Sequence, residues 1–169
     1  MNIYSNPLEV NQKLLHELFD YCDGELHWKV SPKPLVNIGD IAGHIEARGY
    51  KVIKIFGKKY KSHRLVFMYH HGYIPKFIDH IDNNRVNNRI ENLRVATREQ
   101  NNQNAKMRKD NTSGVKGVCW VKKTNRWLAQ IQVNGISWRK TFSSLEDATK
   151  AVQEYRESKH KEFANHGLI

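Results

Sequence analysis

The chemistry of this chain starts at Asp79 and His80, neighbours in the stretch "FIDHID". A carboxylate supplies a hard oxygen suited to Mg²⁺ or Mn²⁺, ions that keep several waters and take only one or two protein oxygens. An imidazole with an unperturbed pKa of about 6.5 accepts a proton from water at neutral pH. Asn101 stands 22 positions beyond Asp79 and offers an amide oxygen as a second hard donor. A divalent ion beside a base is a kit for attacking a phosphodiester. The ion stabilises charge on the phosphate and the leaving oxygen, and the base activates a water. Spacing alone leaves a purely structural Asp–His pair open, and it leaves Asn102 and Asn104 as alternatives to Asn101.

These groups need elements to hold them. "FIDHID" reads as a short strand, and "NNRVNNRIEN" as a loop, because Asn and Asp tolerate left-handed backbone and bond their own main chain. Ile90 and Leu93 can pin that loop to a core, and "LRVA" is a second short strand. Thr97 and Gln100 form a capping box, so a helix is predicted from Arg98 to about Lys106. Neighbours on a strand point to opposite faces unless the strand bends. A hairpin returning under the helix would gather Asp79, His80 and Asn101.

Upstream, apolar spacing predicts an amphipathic helix over 8–22, and "GELHWKV" predicts a strand. "GYKVIKIFGKKYKSH" reads as a hairpin around Gly57, followed by a helix capped by Ser62 that stops at Gly72 and Pro75. Downstream, residues 106–112 read as a basic polar linker. Three strands follow, in "VKGVCWVKK", "NRWLAQIQVNG" and "ISWRKTF", with a hairpin signal at Asn134-Gly135. Ser143 and Glu146 suggest a capping box for a final helix with Leu145, Ala148, Val152 and Tyr155 on one face. The expected class is α+β, with a nuclease-type module over 1–105 (core about 77–105) and a second module over 113–165.

The 169 residues carry a formal net charge of +11 and a pI near 9.7, which favours a polyanionic partner. Cys22 and Cys119 are too few for a four-cysteine zinc site, so no zinc is expected, and they suit a reducing cytoplasm. The N-terminus lacks the basic-then-apolar order of a signal peptide, and no apolar run of about 18 residues exists to span a membrane.

"HRLV", "IDHID", "NNRIENLR" and "ATREQNNQN", in that order, resemble the HNH endonuclease family, most closely its phage-type homing endonucleases. The resemblance covers about Gly24 to Asn104 and implies a ββα-metal fold that cuts double-stranded DNA with Mg²⁺ or Mn²⁺. It implies His80 as general base, Asp79 as metal ligand and Asn92 as the asparagine that braces the loop and orients the base. Asn101 falls where many relatives have a last histidine and would be the second ligand. His63 of "HRLV" is read as structural. One active site per chain implies a nick as the elementary product. A DNA-binding regulator on a retired HNH scaffold is the alternative.

"GVKGV", "RWLAQI" and "TFSSLEDATKAV" are similar to the AP2/ERF DNA-binding domain, over Ser113 to about Ala164. That resemblance implies a sheet laid in the major groove, with Lys116, Trp120, Lys122, Arg126, Gln130, Gln132, Trp138 and Lys140 towards DNA and Trp127 towards the helix. Cys119 and Gln132 stand where plant members usually have arginine, so their sequence preference does not carry over. A phage-encoded protein of this kind would work in the host cytoplasm.

Overall fold

The computed structural model describes residues 10–167. Leu8, counted in the expected first helix, lies outside them. Helix α1 spans Gln12–Leu18, capped by the Asn11 side chain, which accepts from the Leu14 N–H. It is shorter than the expected 8–22. Phe19–Cys22 leave it as strand β1 and pair antiparallel with β2, Glu25–Trp28, across the Asp23-Gly24 turn. A short apolar run satisfies both periodicities, and pairing with β2 decided between them.

Strands β3 (His44–Ile45), β4 (Lys51–Ile55) and β5 (Lys58–Lys61) form one sheet in that order. Phe56 and Gly57 join β4 to β5 with φ of 47° and 79°, the positive pair that a tight hairpin turn requires. Helix α2 runs Ser62–His71 and ends at Gly72 in left-handed geometry, with the Gly72 N–H donating to Met68 O. The expected Ser62 cap does not form. Lys61 holds the cap position, and Ser62 is the first helical residue, with its hydroxyl buried. Leu15, Leu18, Phe19, Leu26, Trp28, Ile53, Leu65 and Val66 are buried together as a core. Each contributes about 1.5–3 kcal/mol of burial.

Strand β6 (Ile78–His80) and strand β7 (Leu93–Val95) pair antiparallel in the register Ile78↔Val95, Asp79↔Arg94, His80↔Leu93. Leu93 is buried in the core and Ile90 packs against it, as the loop reading expected. Helix α3, Arg98–Gln103, follows with the predicted Thr97/Gln100 capping box, and ends three residues earlier than expected. The order strand, loop, strand, helix is present.

The chain divides into two compact units, and the break falls between Val95 and Ala96. The second unit therefore begins with α3, and the expected linker 106–112 lies inside it. Hydrogen bonds explain why. Lys116 Nζ donates to Gln103 O and Ala105 O at the end of α3, Asn111 bonds Val115 O, and Asn165 bonds Asn104.

Strands β8 (Val118–Val121), β9 (Arg126–Val133) and β10 (Ile136–Phe142) form an antiparallel sheet in the order β10-β9-β8. Asn134 and Gly135 turn the second hairpin with φ of 50° and 80°. Helix α4, Leu145–His160, packs on this sheet over Val118, Ala129, Ala148 and Val152. Its cap is Ser144, accepting from the Asp147 N–H, rather than Ser143 with Glu146. Among the described residues no helix is long and apolar enough to cross a membrane.

Candidate active site and outward sheet face

Asp79 and His80 end β6, and both are buried, 4% and 6% exposed. Opposite each other in register, Arg94 and Asp79 form an ion pair: Nε and Nη2 of Arg94 each stand 2.9 Å from Asp79 Oδ2. The guanidinium answers the desolvation of a buried carboxylate. Arg94 is a site residue that sequence reasoning missed. The period-2 pairing that faces it with Asp79 needs the register, which no local signal states.

His80 Nε2 lies 3.1 Å from Asn88 Oδ1. Asn88 is 1% exposed and holds the ring at that nitrogen. Asn92 does a different task. Its Oδ1 accepts from the Asp82 N–H, and its Nδ2 donates to Asp82 Oδ1 and Asn87 O. It braces the loop and bears on His80 only through that brace. The sequence contains five candidate asparagines between 83 and 92, and nothing local separates Asn88 from its neighbours.

Other segments fix the loop. The Ile90 N–H donates to the Tyr21 hydroxyl, and Arg89 forms a forked pair with Asp23. Gly24 presses against the backbone of Asn88 and Arg89. A Cβ there would sit 2.7 Å from Arg89 N, and φ is +89°. Only glycine permits that approach.

His63, on α2, is buried with its ring centre 5.0 Å from that of His80, in edge contact. Burial, then the charges of His80, Lys61 and Arg64, push its pKa down to about 3. His63 is thus neutral beside His80. Burial also lowers the His80 pKa, against the Asn88 hydrogen bond and the carboxylates of Asp82 and Asp79, which raise it. A neutral, buried imidazole next to a buried carboxylate is chemically suited to a base beside a hard cation. The donor chemistry of Asp79 fits Mg²⁺ or Mn²⁺, with the Arg94 pair as a competitor for its charge.

The asparagines at 101, 102 and 104 belong to the second unit. Asn101 and Asn102 are exposed on α3, whereas Asn104 is buried and accepts from Asn165 Nδ2 at 3.2 Å.

On the three-stranded sheet, paired residues share a face. Val118↔Ala129, Trp120↔Trp127, Trp138↔Ile131 and Lys140↔Ala129 place Trp120, Trp138 and Lys140 on the side of α4. Trp138 stacks on Tyr155 of α4 at 4.6 Å, and Trp127 packs against the same core. The three residues are therefore corrected from the expected DNA side. The opposite face carries Arg126, Gln130 and Gln132, as expected, together with Ser137, Arg139 and Thr141, which were missed. Lys122 is exposed in the turn that follows β8. Lys116 is removed from the face, since its amine serves the end of α3.

Residues 60–103 match the HNH endonuclease family, which defines the class of domain that holds Asp79 and His80. Among known proteins, the chain is 34% identical over 116 residues to "Protein 3.8" of Escherichia phage T7, covering 68% of this chain and 96% of that one. The chain belongs to the family of that protein. It is also 35% identical over 120 residues to "Uncharacterized HNH endonuclease L560" of Acanthamoeba polyphaga mimivirus, covering 69% of this chain and 61% of that protein. No solved structure matches the chain.

Proposed function

We propose that this protein is a divalent-metal-dependent DNA endonuclease of the homing type, nicking one strand per active site. The observation that carries the reading is His80: buried, neutral, held by Asn88 and adjacent to Asp79 within the HNH endonuclease segment. An acceptor at Asn88 Oδ1 suits the tautomer in which His80 Nε2 carries the proton, and in this reading Nδ1 is the basic nitrogen. Nδ1 takes the proton of the attacking water, and burial keeps the ring neutral to do so. Mg²⁺ or Mn²⁺, held by Asp79, would supply charge stabilisation to the phosphate and the leaving 3′ oxygen when bound. Arg94 sets the Asp79 carboxylate in place, and Asn92 keeps the loop that carries Asn88.

The three-stranded sheet with one helix behind it supports an AP2/ERF-like role for the second unit. Its outward Arg126, Gln130, Gln132 and Arg139 suit phosphates and base edges of double-stranded DNA.

Supercoiled plasmid carrying DNA that neighbours the protein's own gene is the test. Nicking in Mg²⁺, absent in EDTA and absent in His80→Ala, is expected. Binding without nicking under Mg²⁺ or Mn²⁺ would establish the second reading, a DNA-binding regulator on an HNH scaffold. One observation favours that alternative: a guanidinium already meets the charge of Asp79.

A further inference from the structure

Three residues from separate segments meet beside His80. Tyr50 precedes β4, Lys61 ends β5 and Arg85 lies in the asparagine-rich loop. Lys61 Nζ is 4.2 Å from the centre of the Tyr50 ring, and the Arg85 guanidinium carbon is 4.9 Å from it. The same ring stands 5.5 Å from that of His63 and 6.4 Å from that of His80. Arg85 is fixed further by donating to Arg48 O at 3.0 Å. Among the described residues no ion pair to a carboxylate forms at Lys61 or Arg85.

A ring face attracts each cation, but it does nothing for their mutual repulsion. Exposed lysines and arginines ordinarily spread into solvent. Two of them gathered on one ring, without a carboxylate, form a pocket of positive charge that an anion completes. An arginine fork matches two phosphate oxygens, and a lysine meets one as a point charge.

We infer that Tyr50, Lys61 and Arg85 form a cradle for a DNA backbone phosphodiester at His80. Arg85 and Lys61 touch the phosphate oxygens, and Tyr50 is the positioning residue for both cations. The effect on cleavage rests on the endonuclease reading, whereas the phosphate contact does not.

Binding of a short DNA duplex to the full chain in EDTA, titrated with salt, tests the contact. Removing one phosphate-binding cation lowers the slope of log affinity against log salt by about 0.9. Arg85→Ala and Lys61→Ala are each expected to lower it by about that amount, and the double variant by twice as much. In Mg²⁺, Arg85→Ala lowers kcat for nicking by about 10²-fold. Arg85→Lys keeps the charge and recovers the slope but not kcat. Tyr50→Leu lowers both slope and kcat, and Tyr50→Phe, which keeps the ring face, rescues them. A double variant with the wild-type slope overturns the cradle, whatever the wild type does in Mg²⁺. Reduced slopes in a protein that never nicks leave the cradle standing and remove the endonuclease reading instead.

Discussion

Nε2 of His80 stands 3.1 Å from Oδ1 of Asn88, with both side chains buried. That contact suits the tautomer of His80 with its proton on Nε2. It also dictates what loss of Asn88 should do. Asn88 Nδ2 is itself buried without a partner, so Asn88→Ala removes one hydrogen bond and one unsatisfied donor together. The substitution also leaves the buried His80 nitrogen without that acceptor, so stability should fall by about 1–3 kcal/mol, while kcat falls by about 10²-fold because the ring is no longer held. The pH profile adds a sign. Burial places the His80 pKa below the usual imidazole value, and the Asn88 bond partly opposes that. The acid limb of kcat/KM therefore lies below the ordinary range in the wild type and moves to still lower pH in Asn88→Ala.

The Asp79–Arg94 pair predicts a link between metal and stability. Arg94→Met leaves a buried carboxylate without its guanidinium, which should cost about 3 kcal/mol in EDTA. A divalent ion then takes over the charge. Urea melts in EDTA and in Mg²⁺ should differ more for Arg94→Met than for the wild type, and Asp79→Asn in that background should erase the difference. Equal melts with and without metal would count against Asp79 as a ligand.

Gly24 predicts that a residue remote in sequence controls the loop that carries Asn88. Gly24→Ala drives a Cβ into the Asn88–Arg89 backbone at a positive φ. A loss of about 2 kcal/mol is expected, within the range for a strained position. Amide hydrogen exchange should show loosening over residues 81–92, with activity falling in parallel.

Two histidines make stability acid-sensitive. His63 has its pKa at about 3 and His160 at about 4, in each case through burial first and nearby positive charge second. The unfolded chain binds more protons than the folded one between those values and about 6.5. Stability is therefore complete above that pH and is lost as pH falls through the window. Neither ring nitrogen of His160 has a partner, so His160→Phe should be nearly neutral at pH 7 and should flatten the loss between pH 7 and pH 5 in denaturant melts.

The face assignment of the second sheet separates two adjacent cations. Arg139 is outward, paired with Gln130, and Lys140 lies on the side of α4. Arg139→Ala should weaken duplex binding and lower the salt slope by about 0.9. Lys140→Ala should leave that slope unchanged. The reverse result would mean that DNA meets the other face.

Much of this protein was legible along the chain. Thr97 with Gln100, Gly57 between two strand-like runs and Asn134-Gly135 are short local signals, and each produced the element it announced. The HNH segment was readable because its residues are contiguous. The end of α1 at Leu18 was not, since Phe19–Cys22 is apolar enough for either a helix or a strand until β2 pairs with it.

The sequence by itself determined the types of chemistry available: a histidine, a carboxylate beside it, an asparagine-rich loop and a basic composition. Only the tertiary structure decided that Asn88 touches His80 while Asn92 braces the loop, and that Arg94 faces Asp79. It also decided that Gly24 presses on the loop and that Trp138 backs onto α4 instead of facing outward. Caps and turns are settled by neighbours a few residues away. Which buried polar group meets which depends on strand register and on the need to satisfy every donor and charge removed from water, and those constraints join residues up to 69 positions apart, as in Tyr21 and Ile90.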